Sequence, residues 1–209
     1  MSATLLAGGD ALARQVEAAA VAPDTTIDTD RVSLRTATVE EAGAIHSLIA
    51  QHVAEGHLLP RELEEIAIHV HRFVVAVHDD RILACAELAP LSRDVSEVRS
   101  FVVGQEARSM GLGRQIIDEL LRRATAEGFA KLCAFTHAPG YFVHLGFSIV
   151  PHVWMPEKIV TDCHSCVHFR RCGQYAVVRS LGGVTHAFIP LATIHGAGSA
   201  TQHPAYVLK

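Results

Sequence analysis

Between a β-branched run over residues 98–103 and an amphipathic run over residues 115–126, the chain reads Arg-Ser-Met-Gly-Leu-Gly-Arg, residues 108–114. No other stretch constrains the fold as tightly. Gly111 and Gly113 leave no side chain over the backbone N–H groups, and the first turn of the helix that follows has N–H donors with no partner inside the helix. Donors aimed together in this way make a cradle for an anion such as a pyrophosphate. Two familiar cradles do not fit. No Gly-Lys-Ser/Thr follows for a P-loop, and Ile116 stands where a dinucleotide fingerprint needs glycine. A plain tight turn from strand to helix is the alternative reading of the two glycines.

The flanking chain reads as elements that suit such a turn. Residues 32–37 alternate as a short strand, and Thr38-Val39-Glu40-Glu41 offers a capping box. Ala42, Ile45, Ile49 and Val53 then recur at helical spacing, which carries the helix to about residue 55. Pro60, in Leu58-Leu59-Pro60-Arg61, is placed to open a second helix to about residue 70. Residues 73–77 and 82–88 read as strands joined in a hairpin across His78-Asp79-Asp80-Arg81. A strand over residues 96–103 feeds the glycine turn. Ile116, Ile117, Leu120, Leu121 and Ala124 mark the buried stripe of the next helix, and Gly128 ends it. A strand over 131–136, a short helix over 139–145 closed by Gly146, a strand over 147–150, a polar cysteine-rich loop and a last strand over 175–180 follow. Hairpins combined with a strand-helix-strand unit predict an α/β fold with a mixed central sheet flanked by helices.

With 209 residues, 49% of them apolar, the chain can bury one good core. The folded domain is expected over residues 31–181. Residues 1–30 form an Ala-rich arm with a candidate helix over 10–20, and residues 182–209 form an extension with an apolar patch at 187–194. A net charge of -4 without a basic run argues against nucleic acid or an anionic membrane as partner. No apolar run approaches membrane-spanning length and no signal-peptide pattern opens the chain, so a soluble, cytoplasmic protein is expected. Five cysteines, three of them at 163, 166 and 172, suit reduced thiols or a metal better than a disulfide framework. Cys163, Cys166 and Cys172 with nearby imidazoles have the donor types of a tetrahedral zinc site, yet a zinc ribbon would show a second pair. No metal is the expectation.

The strand, the Arg-x-x-Gly-x-Gly turn and the helix resemble the acetyl-CoA loop of GNAT-type N-acetyltransferases, and the order of elements resembles that family from about residue 32 to residue 181. Leu58-Leu59-Pro60-Arg61, Glu97-Val98-Arg99-Ser100-Phe101-Val102-Val103, the 138–147 segment ending Leu145-Gly146-Phe147, and Met155-Pro156-Glu157-Lys158 leading into Asp162-Cys163-x-x-Cys166 are similar to the short, stand-alone form of bacterial N-acetylglutamate synthase. Two features depart from it. Gly-Gln-Tyr-Ala follows Cys172 where that group commonly has an acidic pair, and both termini extend past its usual ends.

The resemblance implies a GNAT-type acyl-CoA N-acyltransferase fold, acetyl-CoA as cosubstrate and transfer of acetyl to the α-amine of L-glutamate, the first step of arginine biosynthesis. It leaves a homodimer open. Direct transfer asks for a pyrophosphate cradle, a donor for the thioester oxygen, a proton acceptor for the ammonium and a proton for the leaving thiolate. Met110, Gly111, Leu112, Gly113 and Arg114 would supply the cradle, with charge from Arg108 or Arg114. A backbone amide near Val102 or Val103 would take the thioester oxygen, on a stretch that with Phe101 lies along the cosubstrate. Glu97 is the candidate proton acceptor, because a carboxylate inside an apolar strand needs a partner or a role; pairing with Arg99 on the same face is its alternative, and Glu87 is the reserve. Phe142 stands where many GNAT enzymes have the tyrosine that protonates the thiolate. Tyr141, one residue or about 100° away on a helix, is expected to point elsewhere. Arg61 and Arg99 are the candidate carboxylate forks for the substrate, and Thr136 and His137 lie at the expected acceptor pocket. A GNAT enzyme for another small amine, or a non-catalytic acyl-CoA-binding module, is the alternative.

Overall fold

A computed structural model describes residues 27–53 and 58–182 of the chain. β1 (Ser33–Thr36) leads to α1 (Ala42–Val53) and α2 (Leu63–Ile68), followed by β2 (Phe73–His78), β3 (Arg81–Pro90) and β4 (Val95–Val103). Then come α3 (Leu112–Ala126), β5 (Lys131–Thr136), α4 (Pro139–His144), β6 (Ser148–Val150), α5 (Pro156–Thr161) and β7 (Tyr175–Ser180). Among the described residues the strands form one mixed sheet, ordered β1-β2-β3-β4-β5-β7-β6. Only β4 and β5 run parallel there; the other neighbours are antiparallel. The candidate helix over 10–20, the patch over 187–194 and the last residues of the first expected helix lie outside the described residues.

The β2–β3 hairpin turns through Asp79 and Asp80, with φ of 45° and 63°. Both signs are those of a type I′ turn, whose twist matches that of the strands, and aspartate is among the few residues that accept them. Two elements differ from expectation. Pro60 does not open α2, which begins at Leu63 after an extended Glu62. Arg61 explains the offset: it donates to Glu65 on α2 and to Glu87 on β3, which ties the approach to the sheet before the helix starts. The cysteine-rich loop also contains a helix, α5, with Pro156 in its first turn, where a missing N–H costs nothing.

Apolar layers cover both faces of the sheet. On one, Val74, Ala84, Ala86 and Val98 pack with the stripe Leu112, Ile116, Ile117, Leu120 and Ala124 of α3. On the other, Val75, Val77 and Cys85 pack with Ile45, Leu48 and Ile49 of α1 and Ile66 of α2. β4 changes allegiance along its length. The β3–β4 register shifts between Cys85 and Glu87, so that one residue on β3, Ala86, opposes two on β4, Ser100 and Phe101, and Ser100 sits at a φ of 52°. A bulge of this kind flips the alternation of side chains. Val98 before it faces α3, whereas after it Val102 joins the α1 side and Phe101 and Val103 turn to α3.

Parallel pairing of β4 with β5 stops at Val98 and Ala134. β4 continues along β3 to Val103, and β5 continues along β7 to Thr136. The two strands therefore part, and the wedge between them positions the site.

Candidate active site

The wedge opens into a cleft of about 770 Å³. Ser100 to Val103 form one wall and Ala134 to Ala138 the other; the 108–114 loop and Tyr141 and Phe142 of α4 close one end, and His52 and Leu58 stand at the α1 side. Past Val98 the β5-facing edge of β4 has no strand beside it among the described residues, which turns main-chain donors and acceptors on that edge of residues 99–103 toward the cleft.

At the cradle the two glycines serve different ends. Gly111 caps α3 at a φ of 76°, a left-handed conformation that glycine adopts without strain. Ser109, at a φ of 70°, holds the same region just before it. Gly113 is needed for space: a Cβ there would stand 2.6 Å from Tyr141 Oη and 3.1 Å from Phe101 Cζ. α3 is 15 residues long, so its first N–H groups, with its dipole behind them, face the cleft beside Gly113. Arg108 and Arg114 line the same end, Arg114 within 3.6 Å of Asp118. Leu112 is buried beneath the loop, and the Met110 side chain packs on the core, which leaves Met110 only its main chain to offer.

Both aromatic residues of α4 line the cleft, so Tyr141 does not point away as its neighbour's position suggested. Phe142 is buried, edge-on to Phe147 at 5.3 Å, and Tyr141 stacks on Phe101 at 5.9 Å with its hydroxyl over Gly113. A helix of six residues with its side on an aromatic cluster shows the cleft both residues. Burial and the charge of Asp118 push the Tyr141 hydroxyl above its ordinary pKa, so it keeps its proton near neutrality.

On the α1 side of the sheet lies a belt of buried charge. Glu97, 3% exposed, accepts from Lys158 Nζ at 2.7 and 2.9 Å and from Arg99 at 2.7 and 3.0 Å. Asp162 accepts from the same two cations, at 2.6 Å from Arg99 and 2.7 Å from Lys158. Next to this square, Arg61 donates to Glu87 at 3.1 Å, to Glu65 at 2.8 Å and to Ser100 Oγ at 2.8 Å. Glu87 and Arg99 are direct cross-strand partners, which joins the two groups. Burial works to lower the Arg99 pKa, but Glu97 and Asp162 outweigh it and raise the net value. For Asp162, burial acts upward, while Lys158 and Arg99 draw its pKa down.

These contacts correct the place given to Glu97. Its carboxylate is enclosed by three donor groups and is not on the cleft wall; a proton taken up there would break the square. Glu87 is likewise held by Arg61 and, at 4.0 Å, by Arg72. Arg61 and Arg99 lie behind the bulge, and Arg61 reaches the wall through Ser100. Thr136 and His137 do line the cleft, the Thr136 hydroxyl accepting from Ala138 N at 3.0 Å. Lys158 and Asp162 were not singled out from sequence, because their partners are 61 and 63 residues away. The Met-Pro-Glu-Lys stretch was the available signal. Cys163, Cys166 and Cys172 are free thiols, and among the described residues no three His, Cys, Asp or Glu side chains converge to hold a metal. None of the described helices is long and apolar enough to cross a membrane.

A sheet split between two parallel strands, with an anion cradle at the helix after the first, defines an α/β protein that takes an elongated phosphate-bearing cosubstrate between its strands. Residues 42–147, half of the chain, match the Acetyltransferase (GNAT) family, and the chain belongs to it. It is an acetyltransferase by class. Among relatives, an uncharacterized N-acetyltransferase of Chlorobaculum tepidum is 28% identical over 71% of this chain and 96% of its own length. An amino-acid acetyltransferase of Ralstonia nicotianae is 32% identical over 57% of this chain, a match that spans only 27% of that relative. Among solved structures, N-acetylglutamate synthase of Neisseria gonorrhoeae, complexed with coenzyme A and N-acetyl-glutamate, superposes with a TM-score of 0.66 at 25% identity, covering 73% of this chain and 35% of the other. A Mycobacterium tuberculosis protein solved with CoA superposes at 0.61 and 22% identity, covering 71% and 98%, and shares the fold.

Proposed function

We propose that this chain transfers the acetyl group of acetyl-CoA to the α-amine of L-glutamate by direct attack in a ternary complex. The pyrophosphate lies on the N–H groups of Met110 to Arg114, with Arg108 and Arg114 adding charge. The pantetheine arm runs along Phe101, Val102 and Val103, and a backbone N–H at Val102 or Val103 takes the thioester oxygen as it gains charge. Phe142 packs under the arm. Tyr141, whose hydroxyl keeps its proton, donates to the cosubstrate in place of the tyrosine absent at 142.

The observation that carries the acceptor is the hydrogen bond from Arg61 to Ser100 Oγ, 2.8 Å, on the cleft wall at the bulge. It brings a buried guanidinium to the acceptor end, with Arg99 beside it. A substrate with two carboxylates gains most from two such forks. Glu97 holds Arg99 and Lys158 in position there, and Thr136 and His137 form the opposite wall. The N. gonorrhoeae synthase and its bound N-acetyl-glutamate support the same acceptor. Thiol release from acetyl-CoA across an amino-acid panel is the test: glutamate should outpace glutamine, aspartate and simple amines, and equal rates would remove glutamate while leaving acetyl transfer. The breadth of the match to the C. tepidum N-acetyltransferase favours a second reading, another small amine, which the same panel separates.

A further inference from the structure

Two buried side-chain polar atoms among the described residues have no hydrogen-bond partner, His52 Nε2 and His78 Nε2. They differ in where they stand. His78 is at the β2–β3 hairpin beside Asp79, away from the cleft. His52 is in the last turn of α1, 8% exposed, and lines the cleft.

The state of its ring follows from one contact. Nδ1 lies 2.9 Å from Leu48 O, one turn earlier on the same helix. A carbonyl oxygen only accepts, so in the neutral imidazole the proton is on Nδ1 and Nε2 presents a bare lone pair. Leaving a buried acceptor unsatisfied costs about 1–3 kcal/mol, which is the mark of a group awaiting a donor. α1 sets the position as well: Leu48 and Ile49 pack in the same cluster as Val102, whose backbone is assigned to the thioester, and His52 and Val102 line one cleft.

We propose that His52 is the catalytic proton acceptor for the incoming amine. The inference rests on the acetyl-transfer reading and not on glutamate as acceptor. Nε2 takes one proton from the ammonium, freeing the nitrogen lone pair. The N–C bond forms and the C–S bond breaks; the second nitrogen proton ends on the departing sulfur as the thiol, and the imidazolium returns its proton to solvent. No oxidant, metal or further reactant is involved. Glu97 cannot do the same without giving up hydrogen bonds to Arg99 and Lys158, whereas His52 gives up nothing.

The test compares wild type with His52→Phe and His52→Gln, each checked for fold by circular dichroism and for acetyl-CoA binding. With the best amine of the panel, kcat should fall about 100-fold or more, the scale of a lost general base, and the Michaelis constants should stay within about twofold. The aminooxy analogue of that amine is neutral at pH 7 and has no proton to surrender before attack, so on it the variants should come within roughly threefold of wild type. An equal loss on amine and aminooxy substrates, unchanged kcat, or a rise confined to the acetyl-CoA Michaelis constant would overturn the proposal. The last would mean that Nε2 binds a pantetheine amide. If glutamate is inert but another amine reacts with the expected His52 dependence, only the glutamate reading fails. If glutamate reacts and the variants keep full kcat, only the His52 proposal fails.

Discussion

The two ends of the cleft are built from different material. The cradle end is main chain: two glycines, a left-handed Ser109 and the N-terminus of α3, with side chains kept out of the way. Behind the bulge at the other end the material is side chain: Arg61, Glu87, Glu97, Arg99, Lys158 and Asp162, buried or half-buried and paired with one another, with Ser100 alone carrying the Arg61 contact to the cleft wall. A main-chain site can be damaged at small cost to the core, because the side chains that crowd its glycines, Tyr141 and Phe101 at Gly113, stand at the cleft and not in the buried interior. A buried ion-pair site is part of the core. Removing one member leaves an uncompensated charge, which typically costs 3–5 kcal/mol.

Variants ordered by expected effect can break that contrast. Lys158→Met should be the most damaging to stability, by about 3–5 kcal/mol, since it leaves Glu97 and Asp162 with Arg99 alone between them; urea unfolding measures it, and a loss below about 1 kcal/mol would reduce the belt to surface electrostatics. Gly113→Val should fold normally and lose about 100-fold in acetyl-CoA affinity, near 2.7 kcal/mol, because its Cβ meets Tyr141 and Phe101 where the cosubstrate must approach. Calorimetric titration that finds affinity unchanged would remove the cradle altogether.

Arg61→Ala and Arg99→Ala also remove a member of the belt and should share its stability cost; in the protein that remains folded they should raise the glutamate Michaelis constant about ten- to a hundred-fold, the loss of one charged contact of 1.5–3 kcal/mol, with acetyl-CoA binding intact. A shift in both constants would mean that the two ends are mechanically one. Gly111→Ala tests conformation without crowding, since nothing lies within 4 Å of its Cβ position; a cost of about 1–2 kcal/mol is expected from the left-handed φ. The smallest effect belongs to the surface of α3. Arg122 and Arg123 hold the Glu119 carboxyl at about 2, against an ordinary value of 4.5. A depressed folded-state pKa stabilises above the unfolded value and is lost as pH falls from about 4.5 toward 2. Glu119→Gln should therefore cost on the order of 1 kcal/mol at pH 7, for a carboxylate at the helix surface shared between exposed Arg122 and half-buried Arg123, and that cost should fade as pH drops through the folded-state value.

That division of material also decides what could be read in advance. The strand periods, the Asp-Asp hairpin and the two-glycine turn are local patterns, and each stands in the fold where its pattern put it, whereas α2 starts three residues after Pro60 and α5 rises from a stretch read as loop. The turn proposed as a cradle is legible for the same reason, since its N–H groups are consecutive in the chain. Glu97 shows the limit. An acidic residue in an apolar strand announces that it has a partner, but not that the partners include Lys158 on a short helix 61 residues on. The place of Tyr141 escapes the sequence for a related reason: one helical step is 100°, yet α4 is short and lies with its flank toward the cleft. His52 carried no sequence signal. Its spacing from Leu48 is that of any helical pair, and only the cleft beside it makes the idle nitrogen meaningful.

The parting of β4 from β5 gives the protein a sheet edge in its own interior. An open edge is a hazard, since unpaired N–H and C=O groups recruit whatever extended chain comes near. Here the guest that fits is the pantetheine arm, an extended chain with two amides, which would lie between the strands as a strand does. Those amides of residues 99–103 that face the gap and not β3 should then exchange their hydrogens quickly in the free protein and slowly once the cosubstrate is in place. The bound molecule would serve as a reactant and, for as long as it stays, as the missing rung of the sheet.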